Sequence, residues 1–365
     1  MPRLRRVNQW PNFMKQSRER NISIDGLRGL AALAVAIHHG LLVLAVNGID
    51  NLWMQPLYAR LGLEALIVQI LLWLTNGSFF VMVFMVISGW ASSVSYSPNN
   101  GLYSYYTRRL SRLMPVYVVT TLLLYIAVVS GLAPVAIPDA SLWWNWWLQG
   151  PISLRELFEH LVFLTPGLGG ATWTMSVFVV GALVYPLLHK FKDKISGWIY
   201  SLLFVDLILL AWITGKDEYL LFGAFVLGTT INRCSPSLAW IYEKLSGYSL
   251  SFATILVMCL RYLIFVRWIW IVEAIWAFVL VGSVIYNKLP VYQNKPLIYL
   301  GKISYSYYLW HFLILYSVTP ILVQLLGGGV MALLINTLVS VLITIPVAHL
   351  SYLFIEQSRL RGKKS

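Results

Sequence analysis

The sequence predicts an all-α, polytopic membrane protein of about ten transmembrane helices, with both termini cytoplasmic. Three observations predict it. Of the 365 residues, 59% are hydrophobic and only 11% are charged, whereas soluble domains carry roughly 25% charged residues. Apolar runs of the length that crosses a bilayer, about 20 residues, recur from one end of the chain to the other. The basic residues fall almost entirely on one side of those runs.

The spans read, in order, as 24–46, 64–91, 113–133, 172–189, 197–214, 219–232, 246–264, 268–286, 303–326 and 330–355. The first follows a basic stretch (Arg3, Arg5, Arg6, Lys15, Arg18, Arg20), as a signal peptide does. It carries Arg28, His38 and His39, however, and ends at Leu44-Ala45-Val46-Asn47 without a small-x-small cleavage pattern, so it reads as a retained span. The second runs out at the polar segment Ser97-Pro98-Asn99-Asn100, and the third opens on an arginine cluster. The longest external segment, 134–170, comes next and brings Trp143, Trp144, Trp146 and Trp147 together with Arg155, Glu156, Glu159 and His160. The fourth span ends at Lys190, and Gly215-Lys216-Asp217 separates the fifth from the sixth. Arg261 and Arg267 lie at the outer turn between the seventh and eighth, where a re-entrant or interfacial stretch is the alternative. Gly327-Gly328-Gly329 parts the ninth from the tenth. Spans of this number leave room for a single membrane domain, 1–365, with a basic cytoplasmic tail at 1–21 and a second tail at 357–365.

The net charge of +13 would suggest nucleic acid in a soluble chain. Here, with the N-terminus placed inside, 21 of the 27 Lys and Arg lie on the cytoplasmic side, which is the distribution the positive-inside rule requires. The charge is therefore topogenic, and no nucleic-acid partner is expected. Cys234 and Cys259 stand alone, without metal-ligand spacing, and call for no metal. No inverted repeat of the transporter kind is apparent.

The informative stretch is Asp25-Gly26-Leu27-Arg28-Gly29 with His38 and His39, because ionisable groups within a span are costly and mark function by default. The eleven-residue step from Arg28 to His39 turns to within about 20° of whole turns and rises about 16 Å, so the two share a face. Asp25, three residues before Arg28, is placed to orient its guanidinium. The competing reading is that Asp25 and Arg28 snorkel at the interface and that His39 bonds a neighbouring helix. A second cluster, Arg108, Arg109 and Arg112 ahead of Pro115 and Tyr117, is either topogenic charge or an anion site. Arginine's planar fork suits phosphate oxygens. If the two clusters face one cytoplasmic mouth, they form a site for a polyphosphate whose tail runs toward His39, the shape that coenzyme A requires.

At these residues the chain resembles the bacterial acyltransferase-3 family of integral membrane O-acyltransferases that modify glycans, over about 22–356. The resemblance is carried by Asp25-Gly-Leu-Arg28-Gly-Leu with His39, by Val83-Phe-Met-Val-Ile-Ser88-Gly89-Trp90 and by Arg108-Arg109-x-x-Arg112-x-x-Pro115-x-Tyr117. Thr172-Trp173-Thr174-Met175 with Tyr185-Pro186, Leu300-Gly301-Lys-Ile-Ser304-Tyr305-Ser306 through Trp310-His311, and Ser351-Tyr352-x-Phe-Ile-Glu356 complete it. It implies a multi-pass protein of the bacterial inner membrane. The implied reaction transfers an acyl group, usually acetyl, from cytoplasmic acyl-coenzyme A, a donor substrate and not a resident cofactor, to a hydroxyl of an extracytoplasmic or lipid-linked glycan. The family's catalytic histidine maps onto His39, and its donor-binding arginines map onto Arg28, Arg108, Arg109 and Arg112. One departure matters. The family commonly carries a glutamate where this chain has Phe178, and residues 172–189 hold no acid. Some members append a hydrolase-like periplasmic domain after the last span; this sequence is expected to comprise the membrane domain alone.

On this reading His39 acts as general base toward the acceptor hydroxyl, or as a transient acyl carrier. Asp25 orients Arg28, and Trp173 and His311 support the cavity. Ser88 with Gly89 reads as a close helix contact ahead of a nucleophile. The tryptophans at 143–147 form an interfacial belt or a sugar platform. Two other classes remain open at this point: a flippase or transporter of a lipid-linked saccharide, and, because of Phe178, a catalytically inactive relative.

Overall fold

A computed structural model describes residues 21–357 apart from 51, 57–61, 132–136, 138, 148–151, 165–169, 171, 191–196, 234–241, 243, 246, 264–267 and 288. The basic residues of 1–20, Arg60, Cys234, Arg267 and the tail at 358–365 lie outside the described residues. The described chain is helical. Its helices are α1 (Ile22–Leu41), α2 (Leu63–Leu74), α3 (Gly77–Ser95), α4 (Gly101–Val129), α5 (Leu142–Trp146), α6 (Leu154–Leu161) and α7 (Met175–Lys190), followed by α8 (Gly197–Thr214), α9 (Glu218–Thr230), α10 (Gly247–Leu263), α11 (Ile269–Asn287), α12 (Lys295–Leu326) and α13 (Val330–Ser351). A π-helical turn, Tyr352–Glu356, extends α13.

Among the described residues, five segments are long and apolar enough to cross a membrane: Leu63–Ser95, Pro98–Val129, Ile269–Asn287, Lys295–Leu326 and Val330–Glu356. Four shorter apolar helices, Met175–Lys190, Leu202–Thr214, Glu218–Thr230 and Gly247–Arg261, pack among them. Each sequence-based span overlaps a described helix, although α1, the counterpart of 24–46, ends at Leu41 and is not among the segments long and apolar enough to cross. There are two further differences. The span expected at 64–91 is two helices, because the backbone breaks at Thr75-Asn76 and Asn76 caps the new helix by accepting from the Phe79 N–H at 3.2 Å. Helices α4 and α12 begin well before their apolar stretches, so the arginine cluster and the Gly301–Ser306 motif are themselves helical.

The core of the bundle is the packing of α1 against α12, with α13 alongside. Glycine makes it possible. A Cβ at Gly29 would stand 2.0 Å from the Leu297 carbonyl oxygen, and one at Gly301 would stand 1.7 Å from that of Asp25. The glycines that flank Asp25 and Arg28 are thus explained by backbone contact, the small-residue packing that stands in for hydrophobic drive inside a bilayer. This crossing sets the Asp25–Arg28 turn against the start of α12. Helix α3 is clasped in the same way against α9, where a Cβ at Gly89 would meet the Phe225 carbonyl at 2.0 Å. Gly89 is therefore a contact residue, and Ser88 beside it offers its carbonyl to the Ser92 hydroxyl at 2.9 Å.

Candidate active site

Two polar centres occupy opposite ends of α1. At its N-terminal end Arg28 lies 3.8 Å from Asp25, with Arg112, Glu356 and Arg109 as its other charged neighbours. Helix α4 supplies the two arginines. Arg109 donates to Ser92 Oγ at 2.9 Å and lies 6.0 Å from the Tyr105 ring centre, with its Nε buried and without a hydrogen-bond partner among the described residues. Arg112 Nε lies 3.5 Å from Glu356 Oε1, and the Tyr305 hydroxyl donates to the Leu113 carbonyl, tying α12 to this part of α4. Arg108 departs from expectation. It is exposed, and it donates to Ser104 Oγ at 3.0 Å and to the Ser95 carbonyl at 3.4 Å instead of pairing with Glu356 as Arg112 does one turn on.

Glu356 was not among the residues singled out from the sequence, although it closes the last motif. The π-helical turn swings it inward, to 4% exposure, where its Oε2 accepts from Ser306 Oγ at 3.2 Å. A π-turn is a frequent device for aiming a functional side chain.

At the other end of α1, His39 faces a cavity of about 890 Å³ lined by His38, Asn76, Ser78, Trp173, Arg261 and Tyr308 among others. Trp143, Trp146 and Trp147 also line it, whereas Trp144 is buried in the core against Tyr316. The tryptophan segment is held there by the strand-like pairing of Leu44 with Ala140 and by the Ser141 N–H bond to the Val43 carbonyl at 3.0 Å. That anchorage sets the Trp143 ring 5.2 Å from the His39 ring. Trp173 joins the lining through the turn ahead of α7, where Thr174 Oγ1 bonds the Tyr308 hydroxyl at 2.9 Å. Phe178 packs partly buried against the hydrophobic core, and α7 carries no acid.

Behind His39 stands His311 of α12, with His39 Nδ1 2.9 Å from His311 Nε2 and the rings stacked at 23°. His311 Nδ1 lies 2.6 Å from the Tyr308 carbonyl oxygen. The partners fix the tautomers of the uncharged pair. A carbonyl only accepts, so His311 carries its proton on Nδ1 and its Nε2 is an acceptor. His39 must then donate through Nδ1, which leaves the lone pair of its Nε2 unclaimed. The sequence placed His311 in the same region; only the fold shows that the two rings are bonded.

A family profile described as an acyltransferase domain matches residues 21–351. The chain belongs to the acyltransferase-3 family. It is 25% identical over 389 residues to the O-acetyltransferase OatA of Staphylococcus aureus strain NCTC 8325 / PS 47, an alignment covering 94% of this chain and 58% of that protein. OatA of strain COL aligns with the same identity and coverage. The chain thus spans less than two thirds of the length of these curated relatives. No solved structure matches it.

Proposed function

We propose that this protein is a multi-pass O-acyltransferase of the bacterial inner membrane, with about ten spans and both termini cytoplasmic. It moves an acyl group, acetyl in the first instance, from cytoplasmic acyl-coenzyme A to a hydroxyl of an extracytoplasmic or lipid-linked glycan. The observation that carries the reading is an arginine-rich anion site gathered around Arg28 and a directed lone pair on His39, two residues on one face of α1 about 16 Å apart by helical rise. Membership of the family and the names of the aligned relatives support the same reaction class.

The donor binds by its phosphates at Arg28, Arg109 and Arg112. The fit rests on Arg109, whose buried Nε has no partner among the described residues, and on arginine's suitability for bidentate phosphate contact. Asp25 and Glu356 keep these guanidinium groups apart and oriented. The acyl-bearing arm runs along α1 toward His39, where the acceptor hydroxyl meets it. His39 Nε2 takes the hydroxyl proton as the oxygen attacks the thioester carbonyl, and the imidazolium returns that proton to the departing thiolate. The products are an ester and a free thiol, and no metal takes part. His311 is a positioning residue. It holds His39 in the tautomer that leaves Nε2 bare and accepts the hydrogen bond of the imidazolium, the role a carboxylate fills in a serine-hydrolase triad. A positioned base of this kind contributes about 10²–10⁴-fold.

Radiolabelled acetyl-coenzyme A supplied to the detergent-purified protein tests the reading. Wild type is expected to bind it and hydrolyse it slowly. His39→Ala is expected to bind but not turn over, and Arg109→Ala to bind weakly. A wild-type protein that fails to bind acetyl-coenzyme A would remove the donor site and with it the proposal.

A further inference from the structure

The cavity holds a second polar centre that the acyl-transfer chemistry leaves unused. Arg261, in the last turn of α10, and Glu273, near the start of α11, form a two-pronged ion pair, with Nε to Oε1 at 3.0 Å and the Nη2 amine to Oε2 at 2.8 Å. Arg261 is 4% exposed and Glu273 is fully buried. Each carboxylate oxygen has a further donor beside it: Asn76 Nδ2 lies 2.7 Å from Oε1 and Ser78 Oγ lies 3.0 Å from Oε2. The Arg261 guanidinium carbon lies 5.1 Å from the Trp270 ring centre. One edge of the guanidinium is therefore clamped by a carboxylate, and an aromatic ring lies beside it.

A guanidinium has five N–H donors, and the clamp engages two of them. The carboxylate occupies the Nε edge, so the remaining donors are on the Nη1 side of a residue that lines the cavity. Its charge also acts on His38, the neighbour of His39 in sequence. A buried ion pair is weak evidence for stability, because desolvation offsets its attraction, and within a membrane such groups mark substrate paths. The carboxylate that holds Arg261 also cancels its charge. The other charged side chains lining the cavity are Lys216, Asp217 and Glu218, so the lining carries no positive excess to attract an anion.

We propose that Arg261 is the acceptor-positioning residue, and that the donor set it presents selects an uncharged, hydroxyl-rich saccharide over one bearing carboxylate or phosphate. This rests on the reading of the cavity as the acceptor site. Glu273, Asn76 and Ser78 hold Arg261 rigid, its outer N–H groups donate to sugar oxygens, and the tryptophans cover the apolar faces of the ring. Uncharged saccharides match donors whose charge is already compensated.

The test is tryptophan quenching by added saccharide, without acetyl-coenzyme A, on the full chain in lipid nanodiscs. The probes are chitotetraose, which is uncharged, and a tetrasaccharide containing glucuronate. Wild type is expected to bind chitotetraose about tenfold or more tightly than the acidic probe, and Arg261→Lys, which keeps the charge opposite Glu273 but loses the fork, to weaken chitotetraose about tenfold. The charge-free pair Arg261→Gln with Glu273→Gln guards against misfolding and is expected to weaken it as much. Unchanged affinity in both variants, equal or better binding of the acidic probe, or no quenching of wild type by chitotetraose overturns the proposal. Acetyl-coenzyme A binding is measured in parallel on the same samples. Its absence from wild type would sink the acyltransferase reading, while saccharide selection by Arg261 would still stand or fall on the quenching.

Discussion

Arg112 and Glu356 meet at 3.5 Å, one from the first third of the chain and one from the end of its last described helix. The contact ties Arg112 to a buried carboxylate in the neighbourhood of Arg28 and Arg109, while Arg108, one turn earlier, bonds Ser104 and the Ser95 carbonyl. The three basic residues of the motif are consequently unequal. Arg109→Ala and Arg112→Ala should each weaken acetyl-coenzyme A binding about tenfold, the value of a lost charge-assisted hydrogen bond. Arg108→Ala should change it by less than about threefold, because its guanidinium is engaged by Ser104 and the Ser95 carbonyl and makes only exposed contacts. Equilibrium binding of the three variants checks the ranking, and equal losses would refute it.

The two histidines separate in their effects. His39→Ala should abolish single-turnover transfer, by about 10²–10⁴-fold, with donor affinity unchanged. His311→Phe should leave His39 present but free to adopt either tautomer, lowering kcat and sparing KM for the donor. If His311→Phe matched wild type in kcat, the ring pair would be structural only.

The α1–α12 crossing should tolerate no side chain at its contact points. Gly29→Ala and Gly301→Ala each drive a methyl into backbone that cannot yield locally, and overpacking of this kind costs about 1–3 kcal/mol or more. A thermal melt followed by tryptophan emission should show both well below wild type. Gly247→Ala, whose added methyl meets nothing nearer than 3.9 Å, should melt with wild type.

Helix α6 carries a pH signature. Ser153 caps it, and Glu156 answers by accepting from the Ser153 N–H at 2.7 Å and its hydroxyl at 2.8 Å. Those bonds hold the Glu156 carboxyl below its usual range. A depressed carboxylate contributes stability above the unfolded value, about 4.3, and loses it as pH falls through the lower folded value. Amide exchange across 154–161 should therefore stay slow down to about pH 4 and quicken below it. In Glu156→Gln the acid-dependent step should vanish.

Much of this protein is determined by sequence alone, because a bilayer demands long apolar runs and a helix places residues three and four apart on one side. The apolar helices, the Asp25–Arg28 pair and the common face of Arg28 and His39 follow from those two constraints, and each is a relationship within one helix. What tertiary structure decided lies between helices. The partners that α4 meets, Glu356 at Arg112 and Ser92 at Arg109, set those two arginines apart from Arg108. The break at Asn76 put a polar cap where an unbroken span was expected, and Glu273, which no motif marked, met Arg261 there. The contact of α1 with α12 bonded His39 to His311 and thereby assigned its proton. Such pairings depend on crossing angles and on glycine contacts distributed over hundreds of residues, which no local periodicity encodes.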